Sequence, residues 1–121
     1  MYIKQSLHTA ILVSNLEKSE HFYSNVLELS KVDRTLKYPG IWYQIGEYQL
    51  HLIVDENYQK SLINQQKWGR NPHIAFATTD LNKLINHLQN QGIPVQMSAS
   101  GRPAIFIQDP DKNVIEISQV N

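Results

Sequence analysis

The 121 residues carry 11 Lys and Arg against 11 Asp and Glu and no cysteine, which removes an electrostatic case for nucleic-acid binding and rules out disulfides, a thiolate nucleophile or a thiolate metal site. An apolar share of 41% fits a single globular domain with a modest core. No apolar run approaches the roughly 20 residues of a membrane-spanning helix, and the opening MYIKQSLHTAILVSNLEK lacks a signal-peptide layout, so a cytoplasmic protein is expected.

In chain order, a short strand opens at His8, and the polar pair Ser14-Asn15 then offers an N-cap. A helix is expected over 16–27, where Leu16, Phe22, Tyr23, Val26 and Leu27 recur at helical spacing. Strands follow at about 30–37, 40–46 and 47–54, and a polar stretch, 55–70, acts as a linker. A second strand–cap–helix begins at His73, with Thr79-Asp80 as cap, a helix from Leu81 and Gly92 as its stop. Strands at about 93–98, 103–108 and 113–119 complete the chain, and DPDKN, 109–113, supplies the last hairpin turn.

This order is a repeat. HTAILVSNLEK, 8–18, and HIAFATTDLNK, 73–83, share His, Ala, Leu and Lys at identical places, and the same shift of 65 residues carries His51 onto Glu116. The expected fold is α+β: two tandem βαβββ modules, 1–54 and 71–121, in one domain spanning 1–121.

Strand alternation decides which way the four side chains point. His51 shares a face with Gln49 and Ile53, opposite Tyr48, Leu50, Leu52 and Val54. Glu116 stands with Val114 and Ser118, His8 with Ser6 and Ala10, and His73 with Ala75 and Ala77. All four lie on the face away from the helices. A lone strand histidine is more often a hydrogen-bonded structural residue. Four candidates at matching places of a repeat point instead to a metal cup of His8, His51, His73 and Glu116, suited to Zn, Ni, Mn, Fe or Co.

These segments resemble the vicinal oxygen chelate superfamily, which includes glyoxalase I, extradiol dioxygenases and bleomycin resistance proteins. HTAILVSNLEKSEHFYSNVLEL, GIWYQIGEYQLHLIV, NPHIAFATTDLNKLINHL and PAIFIQDPDKNVIEI carry the likeness, the ending DPDKNVIEI most specifically. The resemblance implies a curved mixed sheet around a central cup, a divalent metal between two half-barrels, and a substrate bound through two neighbouring oxygens. By position, His8, His73 and Glu116 match the ligands shared across most enzymatic members. His51 falls where glyoxalase I usually has Glu, a departure that bears on lactoylglutathione lyase activity.

The expected function is metal-dependent lyase or isomerase chemistry through a metal-stabilised enolate, with Glu116 and then His51 as the proton-moving base. The alternatives are an extradiol-type dioxygenase with Fe(II) or Mn(II), and a non-catalytic small-molecule or antibiotic binder. Arg102 and Tyr43 are the candidates for substrate contact; Trp42 and Tyr43 must face opposite sides of one strand, and a short segment does not fix which. Trp68 in the linker is set to cover the site or pack between modules, His21 and His87 read as solvated helix residues, and Arg34 has no role from sequence. A homodimer with a small-molecule substrate, and no nucleic acid or membrane partner, completes the expectation.

Overall fold

Both helices begin where a short polar side chain meets the first free amides. Asn15 Oδ1 accepts from Lys18 N at 3.0 Å, and Asp80 Oδ1 accepts from Lys83 N at 3.1 Å, so the two expected caps form. The computed structural model describes residues 1–35 and 37–121, and the chain packs as two compact units, 1–59 and 60–121.

In the first unit, β1 (His8–Val13) leads into α1 (Leu16–Glu20), and β2 (Ser30–Val32), β3 (Gly40–Ile45) and β4 (Tyr48–Val54) follow. The sheet order is β1-β4-β3-β2; β1 and β4 run parallel, the other neighbours antiparallel. The second unit repeats this with β5 (His73–Thr78), α2 (Leu81–Asn90), β6 (Gln96–Met97), β7 (Ala104–Gln108) and β8 (Val114–Gln119) in the order β5-β8-β7-β6. First and last strands can pair parallel only because the intervening helix supplies a crossover. Each unit is therefore a βαβββ module, as the repeat predicts.

Two expectations are corrected. The helix over 16–27 is α-helical only to Glu20 and continues as a π-helical turn over His21–Val26, closed by Leu27 N donating to Phe22 O at 2.9 Å. The wider turn carries Phe22, Tyr23 and Val26 all into the core. The strands expected at 30–37 and 93–98 shrink to Ser30–Val32 and Gln96–Met97; position 36 lies outside the described residues. The polar stretch 55–70 contains the division between the units, after Gln59, and a 3-10 turn at Trp68–Arg70.

The core of each unit lies between sheet and helix. Val13, Tyr23, Tyr43, Leu50 and Leu52 are fully enclosed in the first, and Leu88, Ile105, Ile107 and Ile115 in the second. Their burial is the main stabilising term. DPDKN closes β7 onto β8: Asp109 Oδ1 accepts from the amides of Asp111 and Asn113, and its Oδ2 from the Asn113 side chain. Among the described residues no helix is long and apolar enough to cross a membrane.

Candidate functional site

Strand register puts the four singled-out side chains on the faces turned away from the helices. Ala10 pairs with His51 and Ala75 with Glu116, each pair at the same rank of its sheet, and Trp42 and Phe106 flank them from β3 and β7. Residues directly opposite in a ladder share a face.

In the second unit His73 and Glu116 meet. His73 Nδ1 lies 2.7 Å from the backbone oxygen of Asn71. A carbonyl only accepts, so Nδ1 carries a proton, and in the neutral ring Nε2 holds the lone pair. That Nε2 is 3.4 Å from Glu116 Oε1. Two ligands each about 2.1 Å from one ion at a near-tetrahedral angle stand roughly 3.4 Å apart, so the pair has the spacing and the free lone pairs that a divalent ion requires. Glu116 is only 9% exposed. Burial pushes its carboxyl up, but the Ser118 hydroxyl on Oε2 at 2.8 Å, Arg102 and His73 outweigh it and hold the group below the ordinary carboxylate range. The Arg102 guanidinium pairs with Oε1 at 3.6 Å and is itself half exposed, its Nε donating to Ser100.

In the first unit His8, His51 and Trp42 form a pile of rings. His51 stacks on His8 with centroids 4.1 Å apart and planes 13° apart, and on Trp42 at 4.2 Å and 10°. A chain of amides fixes its tautomer. Gln44 Nε2 donates to Gly46 O, Gln44 Oε1 accepts from Gln49 Nε2, and Gln49 Oε1 is left facing His51 Nε2 at 2.8 Å. Nε2 therefore carries the proton and Nδ1 the lone pair. Burial first, then His8 and Arg34, hold the imidazole below its ordinary value, so it is neutral at pH 7. An open cavity of about 590 Å³ lies on this face, with His8, Tyr38, Trp42, Gln44, Gln49 and His51 in its lining.

The four expected ligands thus gather as two different pairs, one a His–carboxylate pair and one a ring stack. Imidazole lone pairs lie in the ring plane, so near-parallel rings direct them side by side rather than toward one ion. Among the described residues no three His, Asp or Glu side chains form a metal-ligating cluster.

Tyr43 is corrected: it faces the helix, is fully buried, and its hydroxyl pairs with Ser24 at 2.8 Å. The open face belongs to Trp42, because Trp42 and not Tyr43 is the cross-strand partner of His51. Arg34 gains a place over the Tyr38 and Trp42 rings, with a bond to Tyr38 O at 2.7 Å. His21 is exposed and pairs with Asn25. Sequence reasoning gave Gln49 and Ser118 no role, although each sits two residues from a candidate and so shares its face. Asn71 carried no local signal.

The sequence matches the model of the Glyoxalase/Bleomycin resistance protein/Dioxygenase superfamily over residues 5–117. It is 32% identical to a lactoylglutathione lyase of Neisseria meningitidis serogroup A, across 93% of this chain and 88% of the relative. A crystal structure of a Bacillus anthracis protein assigned to the glyoxalase family superposes with a TM-score of 0.81 at 22% identity, covering 97% of this chain and 95% of the other. TnmS3, an antibiotic binding protein from Streptomyces, superposes with a TM-score of 0.71 at 20% identity, over 100% of this chain and 99% of its own. At those identities the two superpositions speak for the fold.

Proposed function

The chain belongs to the glyoxalase/bleomycin resistance protein/dioxygenase superfamily, and from that premise we propose a metal-dependent lyase or isomerase acting on a small substrate with two neighbouring oxygens. The observation that carries this reading is the His73–Glu116 pair, with its 3.4 Å spacing and defined tautomer. His73 and Glu116 hold the divalent ion in this proposal, while His8 and His51 stack ring on ring on the first unit. The ion, when bound, supplies Lewis acidity to a carbonyl or enediolate oxygen.

The chain's own residues do the rest. Glu116, kept ionised by Ser118 and Arg102, accepts the proton from the carbon beside the carbonyl. His51, neutral with its lone pair on Nδ1, is the candidate base on the open face of the first unit. Arg102, half exposed beside Glu116, meets an anionic group on the substrate. A homodimer completes the proposal.

A second reading, a small-molecule binder without turnover, is supported by the ring stack, the 590 Å³ cavity and the shared fold with TnmS3. The test is metal content per chain by plasma mass spectrometry on protein purified without chelator. About one equivalent of Zn, Ni or Co supports the lyase or isomerase reading, and iron or manganese moves it to an extradiol-type dioxygenase. No metal after reloading and dialysis defeats both and leaves the binder.

Arg102 gives a prediction with an unusual sign. Its guanidinium competes for Glu116 Oε1, so Arg102→Ala tightens Zn binding several-fold in a competition titration. Weaker binding in the variant would mean that Arg102 supports the loaded site instead.

A further inference from the structure

The direction of the His73 lone pair is set from outside its own strand. Asn71, which provides the carbonyl for His73 Nδ1, is only 4% exposed, and its side chain uses its full bonding capacity. Asn71 Oδ1 accepts from Ile63 N at 2.7 Å and Asn64 N at 3.0 Å, and Nδ2 donates to Asn64 O at 2.8 Å and Trp68 O at 3.0 Å. Its backbone is extended, φ −94 and ψ 159, the region favoured before a proline such as Pro72. One amide thus ties the 63–68 segment to the carbonyl that meets His73.

A second contact reaches the same imidazole. Gly69, in the 3-10 turn, lies so close to Phe106 that a Cβ there would stand 2.5 Å from Cζ and 2.9 Å from Cε1. Phe106 meets His73 edge to face, with centroids 5.5 Å apart at 87°. The turn is held to β6 through Gln96, whose Oε1 accepts from Trp68 N and whose Nε2 donates to Gln66 O. One segment therefore supplies the carbonyl and, through Gly69, backs the ring of Phe106 that meets His73.

We infer that Asn71 is a positioning residue for His73, and that residues 63–71 form a mount that fixes which nitrogen of His73 is free and where it points. The inference rests on the proposed ligand role of His73 for its functional meaning, and its structural content can be read without any metal. The juxtaposition explains why a segment that reads as a polar linker buries an asparagine among four hydrogen bonds. Nothing in the β5 ladder needs that arrangement, since strand pairing with β8 is complete from His73 to Thr78.

The experiment uses the full chain, uniformly labelled with ¹⁵N, as wild type, Asn71→Ala, Asn71→Asp and Gly69→Ala. Long-range ¹H–¹⁵N spectra of the imidazoles, taken metal-free at a pH of about 8.5 where histidine is neutral, report which nitrogen bears the proton. Wild type is expected to show His73 as the Nδ1–H form alone, and Asn71→Ala a mixture of both tautomers. Calorimetry with Zn is then expected to give affinity about 10- to 100-fold weaker in Asn71→Ala, the usual loss for an outer partner of a ligating histidine. Asn71→Asp, which keeps the two accepted bonds and loses the two donated ones, falls between. Gly69→Ala shifts the His73 ring resonances through Phe106 with Asn71 intact.

A folded Asn71→Ala with the wild-type tautomer and wild-type affinity overturns the inference. Should that variant not fold, Asn71→Asp decides in its place: a tautomer equilibrium unchanged from wild type overturns the inference, and a shifted one supports it. If wild type binds no Zn, the ligand reading fails while the tautomer spectra still decide the role of Asn71.

Discussion

Glu116→Ala loses stoichiometric divalent metal. The carboxylate is buried, faces the His73 Nε2 lone pair at 3.4 Å, and is kept ionised by Ser118 and Arg102, so no neighbour replaces it as a charged ligand. Removing a ligand should exceed the roughly 10- to 100-fold loss that removal of an outer partner causes. The fold should survive, because the substitution also removes a buried charge, and of the partners it strands, Ser118, His73 and Arg102, the side chains of the last two are 26% and 54% exposed and can be solvated. His73→Ala should behave alike. Metal per chain after dialysis is the measurement, with circular dichroism as the control on folding. One equivalent retained in both variants would remove Glu116 and His73 from the site.

Gly40→Ala costs about 3 kcal/mol or more of unfolding free energy, at the upper end of the usual range for overpacking. Gly40 opens β3 against β4, where a Cβ would come within 2.2 Å of the Leu52 carbonyl oxygen. That oxygen is backbone in a central strand whose side chain is fully buried, so neither partner can swing away. Gly46, in the two-residue turn between the same strands, is the internal comparison. Its φ is +60, and an added methyl would meet no atom within 4 Å, so Gly46→Ala costs only the left-handed penalty of about 1–2 kcal/mol. Urea denaturation should show a lower midpoint with an unchanged slope for Gly40→Ala. A midpoint closer to wild type than that of Gly46→Ala would sink the steric argument.

The periodic features of this chain are legible in its residues alone. The 65-residue shift predicts two βαβββ modules, and period-two alternation puts His8, His51, His73 and Glu116 on the helix-free faces, where the register sets them. Asn15 and Asp80 cap their helices because capping is decided within four residues. Features set by distant neighbours are not legible. The π-helical turn at His21–Val26 follows from the pull of three side chains into the core, and its apolar spacing reads equally well as an α-helix. Trp42 rather than Tyr43 reaches the open face because the β3–β4 register decides it. The side-chain bonds of Asn71 reach back as far as Ile63, across a segment with no periodicity to flag it. The His8–His51 stack pairs residues 43 positions apart in sequence, so only the fold could reveal that two expected ligands meet ring to ring.

The pile of rings on the first unit also has an optical consequence. Indole fluorescence is quenched by an imidazole in van der Waals contact, and more strongly when the imidazole is charged. Trp42 lies 4.2 Å from His51 with its plane 10° away, so its emission is tied to the state of that ring. The chain has two tryptophans, and the other, Trp68, belongs to the turn that mounts His73. Each unit therefore carries its own native fluorophore, and substituting either one by phenylalanine leaves the other to report on its own unit alone.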